Sequence, residues 1–136
     1  PAGSTAARYA SSAGIKTLVL DRSKEIGHPL QCGELVPSNK ELEKLCPNVP
    51  DIDDLIQISN SAISRRTDKL DLVTPSGKKL SYPFEGQILN RPIHDSEIAQ
   101  LAMNEGAVFH KNSTVVDVIE NRVFLDNGVY DFPFYH

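Results

Sequence analysis

Long apolar runs, clustered cations and paired cysteines are what these 136 residues lack. No stretch approaches the roughly 20 apolar residues that cross a bilayer as a helix, and no secretory signal is visible. The two cysteines, Cys32 and Cys46, form neither a Cys-x-x-Cys motif nor a disulfide framework. Reduced thiols in a cytoplasmic setting are therefore expected. Lys and Arg number 14 against 18 Asp and Glu, giving a formal charge of −4. The cations meet only as pairs, Arg65-Arg66 and Lys78-Lys79. That excludes the basic surface a nucleic-acid binder needs to displace counterions. His28, His94, His110 and His136 show no metal-ligand spacing. Asp51, Asp53 and Asp54 lack the glycine and closing Glu of a calcium loop, so they read as a solvated acidic turn. There is no internal repeat and no low-complexity linker. A 40% hydrophobic chain of this length can bury one core, and a single domain is expected.

What is present begins at the first residue. Pro1-Ala2-Gly3-Ser4-Thr5-Ala6-Ala7-Arg8-Tyr9-Ala10 predicts a helix of small residues, and Gly14 suits the left-handed position beyond its end. Ala6, Ala10 and Ala13 recur at i, i+4 and i+7 and are expected to form its close-packing face. Leu18-Val19-Leu20 is a continuous apolar run, as a parallel strand covered on both faces requires. Asp21 closes it, 18 positions after Gly3, near the roughly 20-residue spacing of the ribose-binding acid in a dinucleotide-binding βαβ unit. There Gly3 would be the glycine that lets helix and sheet approach, and Asp21 would accept from the ribose hydroxyls. These residues alone leave flavin and nicotinamide open, and an Ala-rich structural helix beside a buried strand fits them too.

Further along, Asn39 to Leu45 reads as a short helix capped by Ser38, followed by a turn-rich acidic stretch from Pro47 to Asp54. Ile63 to Val73 and Lys79 to Tyr82 predict a hairpin around Pro75-Ser76-Gly77. Asp95 or Ser96 is placed to cap a helix over about Glu97 to Asn104, with Ile98, Leu101 and Ala102 inward and Gly106 ending it. Val108 to His110 is a short strand. Val115 to Ile119, Arg122 to Leu125 and Val129 to Phe132 predict a β-meander turning at Asp126-Asn127-Gly128.

Pro-Ala-Gly-Ser-Thr-Ala-Ala, Leu20-Asp21-Arg22, and Glu25-Ile26-Gly27-His28-Pro29-Leu30-Gln31-Cys32-Gly33-Glu34 together resemble the geranylgeranyl reductase family of flavoproteins. The likeness is to its archaeal digeranylgeranylglycerophospholipid reductases. Ile88-Leu89-Asn90-Arg91-Pro92-Ile93-His94-Asp95 is similar to that family's Arg-x-x-Phe/Leu-Asp segment, and Thr114 to Val118 to its later strand near the adenine. The similarity runs from Pro1 to about Asp126, with the Cys-Gly-Glu block its most specific part.

The resemblance implies an α/β fold: a Rossmann-like FAD-binding domain of the glutathione-reductase type carrying an antiparallel β-meander, inserted or appended. It also implies that residues 1–136 are a partial FAD-binding domain truncated at both ends, lacking a first strand with Gly-x-Gly and a C-terminal half. The absent initiator Met and the apolar stretch Phe132-Pro133-Phe134-Tyr135-His136 agree with that expectation. The implied cofactor residues are Ala2, Gly3, Asp21, Arg22, Cys32, Gly33, Leu35, Arg91 and Val115. Of these, Cys32 and Gly33 would lie beside the flavin, Arg91 would contact FAD, and the Val115 backbone would meet the adenine. Leu35 stands where many members have Gly, an exchange that a backbone contact survives.

The implied reaction is hydride transfer from reduced FAD to isolated C=C bonds of an isoprenoid (geranylgeranyl) membrane-lipid precursor, in lipid biosynthesis. No catalytic side chain is named by the likeness, and the electron donor, reduced ferredoxin or NAD(P)H, stays open. An isoprenoid lipid substrate calls for peripheral contact with a membrane surface. Two alternatives stand beside this reading: another FAD-dependent hydroxylase or electron-transfer dehydrogenase of the same fold, and a truncated fragment without catalysis.

Overall fold

A computed structural model of the chain describes residues 1–30, 32–120 and 122–131. The elements in chain order are α1 (Ala2–Ser12), β1 (Leu18–Leu20), β2 (Leu35–Pro37), α2 (Asn39–Leu45), α3 (Ile52–Leu55) and a 3₁₀ turn, Asn60–Ala62. There follow β3 (Ile63–Val73), β4 (Lys79–Leu89), α4 (Arg91–Asn104), β5 (Val108–His110), β6 (Val115–Ile119), β7 (Arg122–Leu125) and β8 (Gly128–Asp131). The chain packs as two compact units, Pro1–Pro29 with Asp95–His136, and Leu30–His94. The second therefore interrupts the first in sequence.

The first unit is α/β. β1 and β5 pair in parallel, Leu18 opposite Val108 through Leu20 opposite His110. A parallel pair needs a long crossover, which the intervening chain supplies. Ala7 of α1, Ala102 of α4 and Ala107 are buried together, with Val19 and Phe109 packed against them. Both helices end alike. After α1, Gly14 at φ 81° donates to the Ser11 carbonyl and Ile15 to that of Ala10. After α4, Gly106 donates to Met103 and Ala107 to Ala102. This pair of bonds satisfies carbonyls that the helix leaves open and turns the chain into a strand. β6, β7 and β8 form the antiparallel meander, whose turn is tied by the Asp126 N–H to the Thr114 carbonyl.

The face of α1 corrects the alanine reading. Ser4, Ala7 and Ser11 are buried, whereas Ala6 and Ala13 are exposed. Small residues do pack this helix, three positions apart and then four, along a stripe that includes serines.

The second unit is an antiparallel sheet of order β2-β4-β3 with short helices. Ser38 caps α2 as expected, its hydroxyl accepting from the Glu41 N–H at 3.3 Å. The Pro47 to Asp54 stretch holds a helical turn, α3, which the sequence reading missed. β4 runs seven residues past Tyr82, to Leu89. Pro83 is tolerated because it pairs with Lys69 at a register break, where a ladder hydrogen bond is dispensable. Gly86 of β4 is opposite Pro37 of β2: a Cβ there would stand 2.7 Å from Phe84 Cε1 and 3.1 Å from the Val36 carbonyl oxygen. Leu89 is the largest fully buried side chain among the described residues.

α4 starts at Arg91, six residues before the expected Glu97. Asn90 caps it, the Oδ1 accepting from the Ile93 N–H at 3.5 Å, so Pro92 falls in the first turn, where no intrahelical donor is lost. Ile98 and Ala102 face inward as expected, joined by Ala99, while Leu101 is half-buried. Gln31, Phe132 and the apolar stretch through His136 carried expectations but lie outside the described residues.

Candidate functional site

Five of the nine candidate residues belong to the first unit. α1 leads into β1 and packs against it through Ala7 and Val19, so the helix N-terminus and the C-terminal end of β1 open at the same end. Ala2 and Gly3 sit at that helix start, and Asp21 and Arg22 directly follow β1. Pro1 provides no side-chain cap, and the first turn of α1 holds no acid. A Cβ on Gly3 would meet no atom within 4 Å. The close-packing role expected of Gly3 is therefore not exercised against the described residues, though the space beside the backbone is open.

Asp21 is fixed by three hydrogen bonds, and a fourth ties its neighbour Ser23. Its N–H donates to the His110 carbonyl at 3.0 Å, and its own carbonyl accepts from Ser113 N–H at 2.9 Å. Its Oδ1 accepts from the Ser23 N–H at 2.7 Å. The Asn112 N–H closes the set on the Ser23 carbonyl at 3.1 Å. The loops after β1 and β5 are thus knit together, with the half-buried Asp21 carboxylate held in one orientation. Ser23 and Ser113 were not singled out from the sequence. Asp21-Arg22-Ser23 did carry a signal, since an Asp that accepts from the amide two residues on is a recognised local turn. Val115 opens β6 just beyond Ser113, opposite Leu125, and is exposed.

The remaining four candidates belong to the second unit. Leu35 pairs with Ile88, and the Leu89 N–H donates to the Glu34 carbonyl at 3.0 Å. The antiparallel register thereby sets Cys32 and Gly33 at the same sheet end as Asn90 and Arg91, far apart in sequence. Cys32 and Gly33 are exposed, and Arg91 is half-buried at the first position of α4. Glu34 adopts φ 63°, and its N–H lies 3.5 Å from Cys32 Sγ. Both cysteines are free thiols. Among the described residues no cluster of three His, Cys, Asp or Glu could hold a metal ion, and no helix is long and apolar enough to cross a membrane.

No family model matches the chain. An uncharacterised protein from Methanosarcina barkeri is 33% identical over 130 residues, covering 96% of this chain and 69% of that protein. The digeranylgeranylglycerophospholipid reductase of Methanococcus aeolicus is 34% identical over 119 residues, 85% of this chain and 27% of its own length. In three dimensions, a geranylgeranyl bacteriochlorophyll reductase-like protein from Thermoplasma acidophilum superposes with a TM-score of 0.74 at 27% identity, over 96% of this chain and 34% of that one. The chain is similar to digeranylgeranylglycerophospholipid reductases over most of its own length. It spans about a quarter of the length of the Methanococcus reductase. The first unit supplies an α/β framework, with a helix N-terminus and an oriented carboxylate at one end.

Proposed function

We propose that this chain is the FAD-binding portion of an oxidoreductase that saturates isoprenoid C=C bonds of membrane-lipid precursors, on a Rossmann-like scaffold of the glutathione-reductase type. The observation that carries the reading is its relationship to digeranylgeranylglycerophospholipid reductases over most of its length. The residues fit the cofactor. A helix start without cap or acid suits a pyrophosphate, and a carboxylate pinned by Ser23 suits ribose hydroxyls.

Each residue has its own task. Ala2 and Gly3 present backbone N–H groups to phosphate, and Asp21 accepts from the ribose. Arg22, next to Asp21, belongs to the same end of the cofactor, and Val115 offers its backbone to the adenine. Cys32 and Gly33 meet the flavin, with Leu35 contributing backbone only. Arg91 offers a planar guanidinium suited to anionic or planar groups. When bound and reduced, FAD supplies a hydride to one alkene carbon, and a proton arrives separately at the other. Isolated alkenes accept hydride poorly, so the protein's share is orientation and exclusion of water.

The test is a purified full chain, reduced anaerobically and given a geranylgeranyl lipid. Co-purifying FAD and a product heavier by two hydrogens per double bond support the reading. Absence of bound flavin after expression with FAD present would overturn it.

A further inference from the structure

The outer half of the β3–β4 hairpin separates its side chains by chemistry. Leu72 stands opposite Leu80, and Leu70 opposite Tyr82. Opposed residues of an antiparallel pair share a face, so these four make one apolar face. The other face holds Asp71, Lys79 and Ser81, with Val73 opposite Lys79 at its outer end: Lys79 Nζ lies 2.8 Å from Asp71 Oδ2, and the Ser81 hydroxyl donates to Asp71 Oδ1 at 2.6 Å. β2 pairs with β4 only at Gly86 to Ile88, so this half of the hairpin is a two-stranded ribbon. Its apolar face is open: Leu72 is 50% exposed, Tyr82 49% and Leu80 37%. A lone two-stranded ribbon is marginal in water, and an uncovered apolar face makes it more so.

Charge indicates what covers it. The turn ends in Lys78, and Lys79 and Lys69 flank the ribbon. Of the neighbouring acids, Asp68 and Asp71, the latter is engaged by Lys79. Lys69, Lys78 and Lys79 outnumber Asp68 and Asp71 on this part of the hairpin, so an anionic surface attracts it. Tyr82 suits the headgroup boundary, with an apolar ring and a polar hydroxyl. Pairing edge to edge with a second copy is disfavoured, because the outer strand β3 carries Arg65, Arg66, Asp68 and Lys69 and two register breaks.

We propose that this ribbon is a peripheral membrane contact, laying Leu72, Leu80 and Tyr82 onto an anionic lipid surface with Lys78 among its headgroups. It draws its purpose from the lipid-substrate reading, but its test reads vesicle binding and requires no turnover. The intact protein is sedimented with phosphatidylglycerol vesicles and, separately, phosphatidylcholine vesicles. Preferential, salt-sensitive binding to the first is expected. L72S/L80S should lower the partition about tenfold or more, and K78E about fivefold. All these side chains are exposed, so unchanged circular dichroism should verify folding. Equal binding to both vesicles, no binding, or wild-type partition by L72S/L80S overturns the proposal. So does conversion of a dimer to a monomer by L72S/L80S with vesicle binding unaltered. Hairpin-dependent vesicle binding by a protein that takes up no flavin would refute the reductase reading alone. A flavin-loaded, active reductase with hairpin-independent binding would refute the membrane contact alone.

Discussion

The loop around Asp21 and the segment around Cys32 are held in different ways. Asp21 is tied through its N–H, its carbonyl and its carboxylate, on a half-buried loop between two parallel strands. Cys32 and Gly33 are exposed, held through the Glu34 carbonyl on Leu89 and the long contact from Glu34 N–H to sulfur. The first arrangement is set before any ligand arrives, so binding there costs little ordering. The second has freedom left to lose, which lowers affinity for whatever it meets. In a cofactor site of this kind, affinity should reside with Asp21, and Cys32 should adjust the cofactor more than retain it.

Removing the best-held group should give the largest effect. Asp21→Ala should weaken FAD by about 1.5–3 kcal/mol, the scale of a hydrogen bond to a charged group. That is a loss of roughly 10- to 150-fold in affinity. Asp21→Asn sharpens the test, because an amide oxygen can still accept from Ser23 while the charge is gone. Flavin titration should place Asn between wild type and Ala. Equal retention by all three after dialysis would remove Asp21 from the site.

The second unit breaks most readily at its sheet. Gly86→Val would press a branched side chain onto the Val36 carbonyl and Phe84. Overpacking of this sort costs about 1–3 kcal/mol. Denaturant unfolding should show that loss. If Gly86→Val also reduced cofactor binding, the β2–β4 register would be implicated in setting Cys32 and Arg91 at one sheet end. A stability loss alone would confine Gly86 to packing.

Cys32→Ser should be smaller still in stability, within about 0.5 kcal/mol, as is usual for an exposed side chain. It should nonetheless shift the visible spectrum of bound flavin, whereas Cys46→Ser should leave it unchanged. Identical spectra for wild type and Cys32→Ser would detach Cys32 from the flavin.

The same contrast governs what could be read from the chain. Features made by local chemistry were legible: Ser38 capping a helix three residues ahead, Gly14 after α1, the turn at Pro75-Ser76-Gly77. Asp21 was legible for the same reason, since strand, acid and spacing are contiguous. β2 was not, because Leu35–Pro37 is short, contains proline, and becomes a strand only by pairing with Gly86 to Ile88. The start of α4 was misplaced because Pro92 reads as a turn until Asn90 is seen to cap the helix. The meeting of Cys32 and Arg91 at one sheet end depends on a long-range register that no local pattern encodes. Their likeness to a family suggested both residues, but not that the sheet would place them together.

The weakest expected effect is at Asp71, on the polar face of the ribbon. Its hydrogen bonds with Lys79 and then Ser81 hold the carboxyl below its ordinary range, against a smaller opposing effect of desolvation. A carboxyl with a lowered folded-state pKa favours folding above the unfolded pKa and loses that contribution as pH falls through the folded one. The pair is solvent-exposed, so its share of stability is small and screened by salt. An NMR titration of the Asp71 carboxyl should find the midpoint lowered, and K79M should return it toward the ordinary range. Neither change should alter flavin retention, because the ribbon's polar face belongs to neither loop. A midpoint indifferent to K79M would mean that Lys79 leaves Asp71 in solution, and that the polar face of the ribbon is less fixed than its ion pair indicates.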